Sequence, residues 1–547
     1  MASKTNHMKF YVLFIALCSA AFANAQSIEK QPKLIVGIVI DQMRDDFLHR
    51  YANRYTEGGF KRLMREGFYG ANHHFSYMPT TTGPGHASVY AGTTPSVHGI
   101  VGNNWYDPAL KRKVYCSEDK AVRTVGAMNA AGQMSPKNLQ TSTITDELRL
   151  FWNMRSKVVG VSIKDRGAIL PAGHLANAAY WLSDKDFISS TYYMDTLPEW
   201  VQKFNAEKRV AGYLSKPWET LYPASTYLAS APDNSPYEIL LEGESSNTLP
   251  RDLSALREAN GPDLIKLTPF VNTLCVDMAL AAIANEGLGK DAFPDFLALS
   301  FSGPDYMGHS YGTRAVEIED MYLRLDLELA RLFESLDQSV GKGQYVVFLT
   351  ADHGAADVAQ FNIDLRLPGG YVSEKGGFAY LKTALDSMYN KGWDLIEKIE
   401  GNELYLNRKK LAAADLELDD VTEALARIIT GMPGVYAAYP TEIIRWNGSD
   451  EFPLRAIKRG LHPDLAGDVI WVLDSGWMEY GPRGTTHGSP WAYDTHIPFL
   501  IMGPGVKQGR TFRETHIRDI ASTLSALLHI PLPSGNTGQP IVEAVHP

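Results

Sequence analysis

Leu34-Ile35-Val36-Gly37-Ile38-Val39-Ile40 is an unbroken apolar run that stops at Asp41. A run of this length, rich in β-branched residues and ended by a charge, fits a strand buried on both faces. The pattern recurs at Val158 to Ile163 before Lys164, at Phe296 to Phe301 before Asp305, and at Tyr345 to Leu349 before Asp352. Between such runs lie stretches of helical period, the clearest being Ala315 to Leu336, with Ile318, Met321, Leu325, Leu329 and Leu332 among its apolar positions. Strands alternating with helices predict an α/β fold, a mainly parallel central sheet with helices on both faces. Such sheets place ligands at the carboxyl ends of their strands, where the polar residues of this chain cluster.

Working outward, Lys4 and Lys9 precede the apolar run Phe10 to Phe22, which ends at Ala23-Asn24-Ala25. This predicts a signal peptide over residues 1–25, a mature start at Gln26 and a periplasmic or secreted location. The run is well short of the roughly 20 apolar residues a membrane span needs, and no later segment reaches that length, so stable membrane insertion is not expected. Leu17 stands before Cys18 where a lipoprotein signal requires a small residue, which favours cleavage after Ala25. Residues 26–547 are expected to form one catalytic domain, with insertions at about 170–285 and 360–481, the latter as a lid whose portion Leu411 to Ile429 has helical character. A further segment, Trp105 to Phe151, also reads as an insertion. The net charge of −10 becomes −12 without the two leader lysines, which argues against general nucleic-acid binding. Only Cys116 and Cys275 follow the leader, so the fold does not depend on a disulfide framework.

Three groups of residues carry chemistry. Asp41, Asp305 with His309 four residues on, the pair Asp352-His353, and His487 lie at or near strand ends. Mixed carboxylate and imidazole ligands suit zinc, and six of them can serve two ions. Each taken singly also fits a helix cap, a core histidine or a solvated turn. Thr82, in Met78-Pro79-Thr80-Thr81-Thr82-Gly83-Pro84-Gly85-His86, reads as the N-cap of a following helix, where a hydroxyl would face orphan amides that favour a phosphate. Taken by itself, that residue is better explained as a purely structural cap. In Lys164-Asp165-Arg166, the outer two residues would share one face of an extended segment and could address one anion, or could be a solvated strand end. Asn103 could add a neutral donor or serve as a turn residue after Gly102.

Taken together, Asp41, Pro79-Thr80-x-Thr82 with His86, His98-Gly99-Ile100 leading to Asn103, Asp305-x-x-x-His309, Asp352-His353-Gly354 and Thr486-His487 resemble the alkaline phosphatase superfamily, especially its nucleotide pyrophosphatase/phosphodiesterase branch. Lys164-Asp165-Arg166 narrows the resemblance to the phosphate-irrepressible bacterial alkaline phosphatases of the PafA type, and Asp519-Ile520-Ala521-Ser522-Thr523 resembles a further segment of the superfamily. The resemblance implies one Zn2+ on Asp305, His309 and His487 and a second on Asp41, Asp352 and His353, with Thr82 beside it. It implies that Asn103, Lys164 and Arg166 bind the non-bridging oxygens of small-molecule phosphate monoesters, hydrolysed through a phosphothreonine. A phosphodiesterase shares this core, and phosphonate hydrolysis stays open. A sulfatase would need a Cys or Ser in a C/S-x-P-x-R context, which Thr82 lacks. An exported metal-binding protein without catalysis would keep the ligands but need no nucleophile.

Overall fold

The computed structural model describes residues 31–546 except 373, 391 and 447, so the expected signal peptide at 1–25 lies outside the described residues. The four apolar runs become four strands: β1 (Leu34–Ile40), β4 (Val158–Ser162), β7 (Asp295–Phe301) and β8 (Tyr345–Thr350). Every residue of these strands is buried, as expected for a sheet covered on both faces. Each Leu, Ile or Val side chain so buried stabilises the fold by about 1.5–3 kcal/mol.

Six more strands complete a ten-stranded sheet: β2 (Phe68–Gly70), β3 (Thr124–Val125), β5 (Ala178–Ser183), β6 (Asp186–Ser190), β13 (Phe499–Met502) and β14 (Gly509–Thr511). Their order is β14-β2-β13-β8-β1-β7-β4-β5-β6-β3. The five central strands β8, β1, β7, β4 and β5 are parallel, and β13 and β6 run against their neighbours at either side. The expected α/β architecture is therefore present. One expectation is corrected: β5 and β6 belong to the sheet, so the segment 170–285 is not wholly an insertion. Asp184, in the left-handed region with φ 53, turns this hairpin.

Register brings the carboxyl ends of the central strands to one rim. Ile40 pairs with Phe301 and Val39 with Thr350, and the Asp41 amide donates to the Phe301 carbonyl at 2.9 Å. Helices α1 (Thr82–Ala91) and α2 (Asp165–Ala172) pack on one face, and α3 (Phe270–Glu286) and α5 (Val316–Leu336) lie on the other. Helix α4 (Gly303–Tyr311) leaves the rim directly after β7. Gly37 makes room for the first layer: a Cβ there would lie 2.5 Å from the Tyr90 hydroxyl and 2.6 Å from the Phe348 ring.

Four strands stand apart from the central sheet. β9 (Ile396–Glu400), β10 (Glu403–Leu406), β11 (Val435–Pro440) and β12 (Val469–Leu473) form an antiparallel sheet in the order β9-β10-β12-β11. Helix α6 (Leu418–Thr430) covers it, and Leu381, Leu385, Leu404, Val421, Leu425 and Val469 form its separate apolar core. This is the segment expected to be a lid. Cys116 and Cys275 are both buried and unbridged.

Candidate active site

The first ligand elements are dictated by where strands stop. Asp41 follows β1, Asp352 and His353 follow β8, and Asp305 sits in the first turn of α4 with His309 one turn later. The i, i+4 spacing puts the last two on one helix face, and His309 Nε2 lies 3.2 Å from Asp305 Oδ1. His487 arrives on a distant loop, with Nε2 3.5 Å from the same oxygen, and His353 Nε2 lies 3.9 Å from it. The rings of His353 and His487 stack with centroids 3.4 Å apart.

All three imidazoles are oriented alike. His309 Nδ1 donates to the Thr485 carbonyl at 2.7 Å, His353 Nδ1 to the Gly354 carbonyl at 2.9 Å and His487 Nδ1 to the Thr80 carbonyl at 2.7 Å. A carbonyl only accepts, so Nδ1 carries the proton and Nε2 keeps a lone pair aimed at the carboxylates. Second-sphere carbonyls fix metal-ligating histidines in this way.

Charge supports the same conclusion. Asp41, Asp305 and Asp352 are at most 4 % exposed, and among the described groups Lys164 is the cation that reaches them, with Nζ 2.5 Å from Asp305 and 3.1 Å from Asp41. Burial pushes all three carboxyls up, but Lys164 and then His86 hold Asp41 below its ordinary value. Lys164 and then His309 hold Asp305 well below its own. Asp352 gains less from His86 and Lys164: burial, then the charge of Asp41, raises it to about 8. Burial lowers His353 to about 4 and His487 to about 3. Asp352 Oδ2 and His353 Nε2 are buried without a hydrogen-bond partner. Three carboxylates, three oriented imidazoles and orphaned ligand atoms are a donor set that fits divalent cations.

The triads closest in space are Asp305-His353-His487 and Asp41-His86-Asp352, a grouping different from the expected sharing of ligands. His86 differs from the other three histidines. Its Nδ1 faces the Thr82 carbonyl at 2.9 Å and its Nε2 faces Ser300 Oγ at 3.0 Å, so both nitrogens are already engaged. It braces the helix that carries Thr82 while sitting 3.5 Å from both Asp41 and Asp352. His86 stands in the sequence motif, but nothing in its spacing separates this bracing role from a ligand's.

Two local readings are corrected. Thr81, not Thr82, is the N-cap of α1, extended at φ −130 and ψ 162. Thr82 is the first helical residue and Pro84 the third, a position whose amide would have no intrahelical acceptor, so the proline removes nothing. Gly85 lets this first turn touch the β8 loop, because a Cβ there would lie 2.2 Å from the Asp352 carbonyl oxygen. Likewise, Lys164 and Arg166 do not share an extended segment: Lys164 caps α2 with φ −101 and ψ 136, and Arg166 lies in its first turn. They still surround one space. Lys164 Nζ sits 5.0 Å over the Tyr306 ring, which also borders Arg166, and Arg166 Nη1 donates to the Tyr115 hydroxyl at 3.0 Å. Tyr115 in turn donates to Asp165 at 2.5 Å.

Asn103 completes the ring around Thr82. Its Oδ1 accepts from the Gly83 amide at 2.7 Å, which leaves the NH2 end of the carboxamide to face a ligand. Gln42 had no signal in the sequence: it adopts φ 64, gives its amide to Asp352 at 3.1 Å and its side-chain NH2 to Asp305 at 2.9 Å. A cleft of about 390 Å³ opens beside Asn103 and His487 and runs beneath the four-stranded sheet.

A model of the type I phosphodiesterase / nucleotide pyrophosphatase family matches residues 35–496. The chain belongs to that family. The chain is similar to alkaline phosphatase PafA of Elizabethkingia meningoseptica, 43 % identical over 94 % of this chain and 95 % of that one. Alkaline phosphatase PhoV of Synechococcus elongatus is 42 % identical over 98 % of this chain and all of its own. A Myroides odoratus protein named a calcium-transporting ATPase is 44 % identical over 98 % of this chain and all of its own. The crystal structure of wild-type PafA superposes with a TM-score of 0.91 at 42 % identity, covering 94 % of this chain and 99 % of that one. Among the described residues, no helix is long and apolar enough to cross a membrane.

Proposed function

We propose that the chain is an exported alkaline phosphatase that hydrolyses phosphate monoesters to an alcohol and inorganic phosphate through a phosphothreonine at Thr82. The observation that carries the reading is Asn103 held on the turn of Thr82, with Lys164 on Asp41 and Asp305 and Arg166 in the turn that follows it, beside three oriented histidines and three buried carboxylates. Near-full-length relatives that are alkaline phosphatases support it. The leader pattern at 1–25 supports export.

Asp305, His309 and His487 would hold one zinc ion, and Asp41, Asp352 and His353 the other. Bound there, the two ions supply Lewis acidity toward the nucleophile, the water and the leaving oxygen. The chain does the rest. The α1 N-terminus presents Thr82 Oγ at the positive end of the helix dipole, a setting that favours a phosphoryl group. Thr82 Oγ forms a bond to phosphorus as the bond to the alcohol oxygen breaks, and water then takes phosphorus from Thr82 to release phosphate. Lys164, Arg166 and the Asn103 NH2 offset charge on the equatorial oxygens throughout.

A phosphodiesterase would use the same core, but its substrate has one charge fewer for Lys164 and Arg166, so the paired cations favour the monoester. The decisive experiment is acid quenching of the zinc-loaded protein during turnover of an aryl phosphate monoester, followed by mass spectrometry of the peptide containing Thr82. A phosphoryl adduct on Thr82 that disappears in Thr82→Ala together with turnover is expected; full turnover by Thr82→Ala would refute the assignment.

A further inference from the structure

The cleft beside His487 has a composition that bears on the part of the substrate that departs. Four rings line it: Trp105, Tyr405, Trp477 and Tyr493. Its volume of about 390 Å³ lies in the range of sites that enclose an organic molecule, far more than a phosphoryl group needs. It ends on Thr81, Asn103 and His487, so whatever fills it continues from the phosphoryl position.

Its charge is one-sided. Glu400, Glu403, Glu479 and Asp494 line it, while no Lys or Arg does among the described residues. Glu400 is offset by Lys113 at 2.5 Å and Lys398 at 3.6 Å, and Glu403 accepts from the Gly467 amide at 2.6 Å and Tyr405 at 3.0 Å. Asp494 is different. It is 1 % exposed, and its Oδ2 accepts from the Ser489 amide at 2.8 Å and Ser489 Oγ at 2.6 Å. Its Oδ1 is buried with no partner. A buried carboxylate oxygen without a donor is costly unless a ligand supplies one. Aromatic rings beside acceptors recognise ammonium groups and other donors attached to flat, apolar bodies.

We propose that this cleft is the leaving-group subsite, that it takes an uncharged or cationic alcohol bearing an aromatic ring, and that Asp494 Oδ1 receives that alcohol's donor. A leaving group with a second anionic charge, such as another phosphate, is disfavoured there. The proposal rests on the phosphomonoesterase reading above and extends it to substrate class.

The test uses phenyl phosphates of matched leaving-group acidity whose remote methylene carries trimethylammonium, hydroxyl or carboxylate, with ethyl phosphate as a ring-free reference. For zinc-loaded wild type, kcat/KM is expected to be about ten-fold higher for the ammonium than for the carboxylate ester. In Asp494→Asn, which keeps an acceptor for Ser489 and turns the unpartnered oxygen into a donor, the spread should shrink to about two-fold. Trp477→Leu should lower all three aryl esters by about ten-fold and leave ethyl phosphate within about two-fold. A wild-type series indifferent to charge, or a spread unchanged in Asp494→Asn, overturns the subsite. Failure to hydrolyse any ester, ethyl phosphate included, would instead remove the phosphomonoesterase reading beneath it.

Discussion

Lys164 and Arg166 should set the preference between monoester and diester, and Coulomb's law gives the size of the effect. In the resting site the Lys164 ammonium is held 2.5 Å from Asp305 and 3.1 Å from Asp41, while Tyr115 holds the Arg166 guanidinium at 3.0 Å. Zinc on those carboxylates would release the ammonium toward the phosphoryl group. A monoester dianion carries one charge more than its methyl diester, and one unit charge about 4 Å from another is worth about 4 kcal/mol at an effective dielectric near 20. Removing some of this for desolvation leaves about 3 kcal/mol, or about a hundred-fold. The Lys164→Ala/Arg166→Ala double variant should therefore lose about a thousand-fold in kcat/KM for an aryl monoester but only about ten-fold for the methyl diester, measured at saturating zinc. The single variants should not add, because both cations face the same oxygens. Lys164→Ala should also bind zinc more tightly than wild type, since it removes a competing cation from Asp41 and Asp305. Equal losses for monoester and diester in the double variant would refute the reasoning.

Gly85→Ala should cost about 1–3 kcal/mol of stability in urea unfolding and lower kcat, because its Cβ must displace the Asp352 carbonyl lying 2.2 Å away. Chelation of the zinc-loaded protein should abolish turnover and lower the Tm, with both restored by zinc; a Tm indifferent to chelation would contradict metal binding at three buried carboxylates. Away from the site, burial raises Glu317 to about 7 and, with the charge of Glu317 added, Glu238 to about 10. Both lie above their ordinary value, so the folded chain holds protons that the unfolded chain releases, and stability is full below about pH 4.5 and lost as pH rises through 7 to 10. Glu238→Gln, whose amide oxygen can still accept from Asn247, should raise the Tm at pH 9 and leave it nearly unchanged at pH 5.

The strands and their polar ends were legible because a strand buried on both faces leaves a continuous apolar run, and Asp41, Lys164, Asp305 and Asp352 interrupt four of them. The hairpin Ala178–Ser190 was less visible: its two apolar runs are short and lie inside a Tyr- and Ser-rich stretch, and it joins the central strands through the pairing of β5 with the distant β4. Thr82 was located but misplaced by one position, since consecutive threonines give no local signal of which one caps the helix. Lys164 and Arg166 meet for a reason the sequence hid. One is the extended cap of α2 and the other its first turn, so alternation along a strand is not what aligns them. Gln42 was silent because its role comes from a left-handed backbone that residue type alone does not reveal.

The chain leaves the rim after His353 and comes back with His487, and the departing and returning segments run side by side: the Gly354 amide donates to the Asp494 carbonyl at 2.7 Å and the Ala356 amide to the Thr486 carbonyl at 3.3 Å. The four-stranded sheet lies on the chain beyond the neck that these paired segments form, and this excursion also meets the rest of the fold where the Met78 amide donates to the Ala456 carbonyl at 3.1 Å and Lys113 pairs with Glu400 at 2.5 Å. Loop-closure entropy grows only slowly with the length of what a neck encloses. The excursion can therefore be lengthened, shortened or exchanged at modest thermodynamic cost while His353 and His487 stay stacked. The residues proposed to cleave the ester lie outside the excursion, so grafting another excursion onto this neck is a route to altering which esters are accepted without rebuilding the centre that cleaves them.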